Sequence, residues 1–438
     1  MTDMTATGGA TDNYSREVRK VAIASLVGST IEWYDFFLYG VVAGLVFNKL
    51  YFPADDPTIS TLLAYATFAV GFVARPFGGL VFGHFGDKVG RKTMLVLTLM
   101  IMGGATVAIG LLPTYDQIGM AAPILLLLLR VAQGIGIGGE WGGAVLMAYE
   151  FAPPHKRGFY ASIPQIGLSL GLALASGTMA LLTMLPDDAF MSWGWRTAFV
   201  ASIVLVVLGT WIRSQIGESP EFEKEKAAHR AQDQGLPFVK MVKRYPANIA
   251  LGMGARYIDG VFFNVFAVFS ILYLTAHVGL DRSFALRTVA GAALVMVFTI
   301  PLFGRVSDFF GQARTYAVGS GLLALSVFPA FWLMSTGDPL LVVLGIVLPF
   351  GIIYPICYGP EAALFANLFD PSVRYTGVSF VYQFSGIFAS GITPMIATAL
   401  LAANDNDPHW LSIYVAFAGV VSMLSAWILH RRRHLDHS

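Results

Sequence analysis

Twelve apolar runs separated by short polar turns constrain this 438-residue chain more than any other feature it has. They fall near residues 20–48, 59–83, 93–113, 119–149, 158–185 and 193–215, and again near 247–276, 284–309, 315–336, 339–368, 373–403 and 409–430. A helix crosses the hydrocarbon core of a bilayer with roughly 20 predominantly apolar residues. In that medium every backbone polar group must be satisfied internally, so runs of this length read as spanning helices. Composition agrees: 13% of residues are charged and 56% hydrophobic, against about 25% charged in an ordinary soluble domain.

A charged stretch, Glu218 to Arg244, interrupts the series at its middle. The chain then divides into an N-terminal tail (1–19, expected to be disordered), a six-helix half (20–217), a hydrophilic linker (218–246), a second six-helix half (247–430) and a basic tail (431–438). The halves repeat. GHFGDKVGRK after the second run and GRVSDFFGQAR after the eighth place Gly83, Asp87 and Gly90 against Gly304, Asp308 and Gly311 at a constant offset of 221. FAPPHKRG after the fourth run and FDPSVRYTG after the tenth form a second pair. The expected fold class is therefore an all-α membrane protein with twelve transmembrane helices in two pseudo-symmetric six-helix bundles, a plan of duplicated halves found among transporters.

Lysine and arginine set the orientation, because cytoplasmic loops retain them. Twenty-one lie on the side of the N-terminus, four (Lys49, Arg196, Arg282, Arg287) on the other, and three (Arg75, Arg130, Arg256) within helices. That split predicts both termini in the cytoplasm. Residues 1–15 lack the apolar core of a cleavable signal, so the first helix is expected to direct insertion. A net charge of +1 with bases scattered among loops argues against a nucleic-acid partner, which needs a concentrated basic face. The single Cys357 excludes an internal disulfide or a cysteine-rich metal site. Glycines 134, 136, 138, 139, 142 and 143 lie inside a helix with no strand before them, which fails the context of a dinucleotide loop; small residues there permit close helix packing. No GxxxxGK[ST] or HExxH pattern occurs. No catalytic residues, metal or cofactor are expected, and the chain does not read as an enzyme.

Ionisable residues within a spanning helix are costly, face a protein interior or water and pair with one another. Glu32 and Asp35, three apart on the first helix, share a face. Two such carboxylates disfavour joint ionisation, which suits Asp35, with Glu32 as modulator, to take up and release a proton; the alternative is a plain ion pair with a neighbouring arginine. On the fourth helix Arg130, Gln133 and Glu140 form a polar stripe, and the Arg130 guanidinium can fork onto a carboxylate; it can also be a structural partner of Glu140 or Asp35. On the seventh, Arg256 and Asp259 stand at i, i+3, followed by Asn264 and several phenylalanines. These suit a small polar ligand in an apolar pocket, or else Asp259 simply neutralises Arg256. Arg75 precedes Pro76, expected to break the second helix locally, and lines the path or snorkels. Gln165, Tyr354, Tyr358, Tyr382 and Gln383 are further cavity candidates. Asp87, Arg91, Lys92 and Glu150, with Asp308, Arg314 and Glu361 in the other half, are expected to hold a cytoplasmic gate shut; the basic members are also accounted for by topology alone.

Four segments, GSTIEWYDFFLYG (28–40), ARPFGGLVFGHFGDKVGRK (74–92), RVAQGIGIGGEWGGA (130–144) and YGPEAALFANLFDPSVRYTG (358–377), resemble in their order the metabolite:proton symporter family of the major facilitator superfamily. The resemblance spans nearly the whole chain. It implies alternating access in a bacterial inner membrane, protons as coupling ion, and a small-molecule substrate among carboxylates, hydroxy acids or zwitterionic osmolytes. It also associates Arg130 with proton coupling. Three buried arginines favour a small organic acid; Trp33, Tyr34 and Phe37 keep open a betaine or proline held in an aromatic cage. A membrane substrate sensor is the alternative of another class. The expected partners are substrate and lipid, with the protein a monomer.

Overall fold

The computed structural model describes residues 6–89, 91–138, 141–150, 152–214, 237–370 and 373–435. Ten helices among them are long and apolar enough to cross a membrane, and two shorter apolar helices complete the series. In order the spans are 1 (Ser25–Leu50), 2 (Pro57–Gly79), 3 (Val96–Leu111), 4 (Ala121–Ile137), 5 (Pro154–Leu182), 6 (Asp187–Ile212), 7 (Pro246–His277), 8 (Arg282–Phe310), 9 (Gln312–Ser335), 10 (Pro339–Ala366), 11 (Arg374–Ala403) and 12 (His409–Arg432). Span 4 is followed by a further helix, Trp141–Glu150. The fold class read from the sequence is thus the one found.

Two local expectations are corrected. The helix of span 1 begins at Ala6 rather than after a disordered tail, and the helix of span 2 runs from Pro57 to Val89 straight through Pro76. Neighbouring helices can re-satisfy the backbone group a proline frees. Much of the linker lies outside the described residues; its end, Pro237–Arg244, is helical and is tied down by Arg244 to Asp370 at 2.9 Å.

Within the first half span 1 packs on spans 5 and 6, span 2 on span 4, and span 3 on spans 4 and 6; in the second, span 9 packs on spans 10 and 12 and span 7 on spans 11 and 12. The halves meet through spans 2 and 11, spans 5 and 8, and spans 1 and 7. Exchanging halves maps each of these contacts onto another or itself, as a two-fold pseudo-axis requires. Burial follows position: the most apolar windows of spans 1 and 7, at the axis, are 94% buried, whereas that of span 6 is 28%. Spans 3, 6, 9 and 12 turn residues such as Met100, Val207, Leu325 and Phe417 outward, where hydrocarbon accepts them.

Glycine decides two close approaches. A Cβ on Gly138 would strike the Arg75 carbonyl of span 2, and one on Gly158 would strike Gly304 of the opposite half. Gly311, at φ 89°, ends span 8 in a conformation that side chains resist, which accounts for the glycine of the repeated loop motif. Spans 1 and 7 each contain a π-helical turn, Ala43–Phe47 and Val265–Phe269, separated by nearly the repeat offset. Such turns concentrate at functional sites.

Candidate binding chamber and its ionisable residues

A cavity of 20 Å³ lies between the halves, lined by Trp33, Phe36 and Phe37 of span 1, Phe72 of span 2, Arg256, Asp259 and Asn264 of span 7, and Tyr354 and Tyr382 of spans 10 and 11. That is room for about one water molecule, so the chamber is closed down around its side chains.

On the first-half side Asp35 is fully buried. Its carboxylate lies beside Thr106 of span 3 and Ser202 of span 6, yet neither oxygen has a hydrogen-bond partner among the described residues. A chain of polar groups leads away from it. Gln133 Nε2 donates to Thr106 Oγ1 at 2.8 Å, and Arg130 Nη1 donates to Gln133 Oε1 at 3.0 Å. The Arg130 guanidinium lies over Tyr39 at 4.2 Å and Phe36 at 4.3 Å, with Nε and Nη2 unpartnered by any hydrogen bond among the described residues. Glu140 lies outside the described residues. Arg130 and Gln133 do share a face, as their spacing predicts.

Glu32 and Asp35 turn to different neighbours. Glu32 lies in electrostatic reach of Arg75, whereas Asp35 faces spans 3 and 6. Arg75 sits inside an aromatic box, 4.1 Å from the Phe36 ring, 4.3 Å from Phe72 and 5.4 Å from Trp33; its Nε and Nη2 have no hydrogen-bond partner among the described residues. It does not snorkel, being 1% exposed. Of the proposed aromatic cage, Trp33 and Phe37 stack at 5.1 Å, but Tyr34 turns to span 6 and donates to the Ala198 carbonyl at 3.2 Å.

On the second-half side Arg256 is the centre. Its Nη2 is 3.5 Å from Asp259 and its Nε 3.7 Å from Glu361, and it lies 3.8 Å above the Tyr382 ring. Tyr382 in turn stacks on Trp141 with centroids 3.5 Å apart, joining Arg256 to the opposite half. Asp259 accepts a hydrogen bond from the Tyr354 hydroxyl. Glu361, expected at the cytoplasmic gate, belongs instead to this interior group and is 0% exposed. Asn264 Nδ2 bonds its own helix at the Gly260 carbonyl, 2.8 Å, leaving Oδ1 toward the chamber without a partner among the described residues. Gln165 pins span 5 to span 10 through the Tyr358 carbonyl at 2.9 Å, and Gln383 donates to the Gly138 carbonyl at 3.2 Å. Both join the halves rather than opening onto the chamber. Tyr358 stacks on Tyr354 at 5.5 Å.

Both rims are bridged. At the end where spans 4 and 5 and spans 10 and 11 are joined, Glu150 pairs with Arg374 of the other half at 3.1 Å, and Tyr149 donates to Asn367 at 2.5 Å. Asp308 accepts the backbone N–H groups of Gly158 at 2.7 Å and Phe159 at 3.1 Å. A carboxylate is thereby placed on the first turn of a helix in the other half, where cap and dipole favour it. Arg314 is exposed, and the side chains of Asp87, Arg91 and Lys92 lie outside the described residues. At the far rim Arg282 reaches Asp187 at 3.3 Å and Ser283 donates to the Ala180 carbonyl at 3.2 Å. Thr106, Ser202 and Trp141 were not singled out by sequence; hydroxyls within apolar runs and a tryptophan near a helix end carry no distinguishing signal.

Two six-helix bundles closed over a small aromatic chamber that holds a few polar groups define the class, a polytopic membrane carrier with its chamber between its halves. Known sequences agree. The pattern described as "Sugar (and other) transporter" matches residues 20–250 and that described as "Major Facilitator Superfamily" matches 249–438. The chain is 38% identical to the shikimate transporter of Escherichia coli K12 over 94% of each protein. It is 40% identical to the inner membrane metabolite transport protein YhjE of the same organism, over 95% of this chain and 94% of that one. The E. coli K12 proline/betaine transporter is 31% identical over 93% of this chain and 83% of its own length. The chain therefore belongs to the major facilitator superfamily, among its metabolite transporters, and is a transporter rather than an enzyme. Its fold matches a crystal structure of a D-xylose-proton symporter, TM-score 0.73, at 16% identity over 94% of this chain and 97% of that one.

Proposed function

We propose that this protein is a proton-coupled symporter that imports a small organic acid, a carboxylate or hydroxy acid, by alternating access across a bacterial inner membrane, as a monomer with both termini in the cytoplasm. The observation that carries the substrate class is the pair of buried guanidinium groups, Arg75 and Arg130, both packed on Phe36 of the chamber wall, whose Nε and Nη2 have no hydrogen-bond partner among the described residues. Buried donors left unmade are costly, and a carboxylate satisfies two at once in a charge-assisted fork. Asp35 is the proton carrier. Buried and linked through Thr106 and Gln133 to Arg130, it gains from a proton what it lacks in hydrogen bonds, and substrate occupancy at the arginines is communicated along that chain.

Resemblance to the proline/betaine transporter supports a second substrate class, a zwitterionic osmolyte. Its ammonium group would need an aromatic cage, and the box of Phe36, Phe72 and Trp33 is already filled by Arg75. The acid is therefore preferred. The test is uptake into proteoliposomes of labelled shikimate, simpler carboxylates and glycine betaine, with Arg75→Gln beside the native protein. Carboxylate uptake whose half-saturating concentration rises at least about tenfold in the variant, the loss of one charge-assisted contact, supports the proposal. Uptake confined to betaine and indifferent to Arg75→Gln replaces it with the osmolyte.

A further inference from the structure

In the second half a single guanidinium faces two carboxylates beside a chamber with room for about one water molecule. Arg256 lies 3.5 Å from Asp259 and 3.7 Å from Glu361, both acids are at most 4% exposed, and Glu361 is fully enclosed. With all three ionised the group carries one net negative charge where desolvation makes an unpaired ion expensive. The hydrogen bonds are unequal as well. Asp259 has the Tyr354 hydroxyl, whereas neither oxygen of Glu361 meets a donor among the described residues. The two carboxyl groups nonetheless lie within hydrogen-bonding reach of one another.

We infer that Asp259 and Glu361 share one exchangeable proton beside Arg256, making a second proton-binding centre in the second half, separate from Asp35. A proton on one carboxyl supplies the donor that Glu361 lacks, turns a repulsive pair into a carboxyl–carboxylate hydrogen bond, and leaves one negative charge for the one guanidinium. Glu361 is in electrostatic contact with Arg256 and Asp259. The other titratable groups around the pair are the neutral hydroxyls of Tyr316 on span 9 and of Tyr354 and Tyr358 on span 10, the Cys357 thiol, and Tyr382 on span 11. A second cation, Arg75 of the opposite half, lies in electrostatic reach of Arg256. None of these supplies the missing positive charge at Glu361.

The position ties the proton to substrate. Arg256 and Asp259 both line the chamber, so an anion that engages Arg256 withdraws the guanidinium from the pair and leaves the shared proton as its remaining neutralising charge. When the anion departs, Arg256 returns and the proton is free to leave for water at whichever rim is open. This role in the transport cycle rests on the symport reading above; the existence of the centre does not.

The existence is tested without substrate. Protein in lipid nanodiscs is titrated in an infrared cell, recording the carbonyl stretch of protonated carboxyl groups for the native chain, Glu361→Gln, Tyr354→Phe and Asp35→Asn. The expected result is a band that Glu361→Gln removes, that Tyr354→Phe shifts without abolishing, and that persists in Asp35→Asn. A folded Glu361→Gln protein with the band intact overturns the inference. If that variant does not fold, a band unmoved by Tyr354→Phe does the same. Because the band is read before any transport, its outcome is independent of whether substrate drives proton entry.

Discussion

Asp35 is enclosed by spans 3 and 6, and a polar path out of its surroundings runs through the Thr106 hydroxyl to Gln133 and Arg130. Thr106→Val keeps the branched shape and deletes the hydroxyl. Gln133 Nε2 then loses its acceptor, which costs about 1–3 kcal/mol. The account expects a thermal unfolding temperature lowered accordingly and a weaker dependence of uptake on the proton gradient; unchanged stability and coupling would remove Thr106 from the path. Arg130, Gln133 and Asp35 were legible in sequence because a charge or amide inside an apolar run stands out, and helical spacing puts Arg130 and Gln133 together. Thr106 was not, since a threonine in a helix also bonds its own backbone, as this one does to Met102 at 3.0 Å. Glu361 was misplaced for a related reason. It is placed at the gate as part of the second half's counterpart set to the first, but it pairs with Arg256, a residue of another span, and long-range pairing is invisible to local pattern.

The same contrast holds for the helices. Existence and order of all twelve spans followed from apolar length alone, because the bilayer fixes that length. Their irregularities did not. The π-helical turns Ala43–Phe47 and Val265–Phe269 arise where the two axial helices must fit one another and their neighbours, a tertiary demand that single-helix propensity does not encode. Pro76 was read as a break and is carried within a continuous helix. The repeated loop motif is the case where sequence and structure inform each other: Asp308 stands at its fixed place because its carboxylate caps the helix that begins at Arg157 in the opposite half. Asp308→Asn weakens that closure by about 1 kcal/mol, roughly a fivefold change in the ratio of closed to open rim. Spin labels at Lys156 and Arg314 should report a longer-distance population growing by that factor. An unaltered distance distribution would show that the cap does not hold the rim.

For the whole molecule, the halves touch at both rims and leave a chamber of 20 Å³ between them, the geometry of a carrier caught between its two openings. The first half buries Asp35, Arg75 and Arg130 and the second Arg256, Asp259 and Glu361, with Arg75 and Arg256 in electrostatic reach of one another across the halves. Opening either rim separates residues that now lie within one enclosed group, so the charge state of that group and the position of the halves are linked. A carrier built this way should move poorly with an unneutralised acid and readily when the acid is loaded, which is the condition for coupling. The measurement that tests this most directly is internal pH in proteoliposomes during a pulse of substrate, with Asp35→Asn beside the native protein. The account predicts acidification on adding the carboxylate that is taken up, reduced at least about tenfold in the variant, as loss of an essential proton-binding group requires. Undiminished acidification with Asp35→Asn would contradict it.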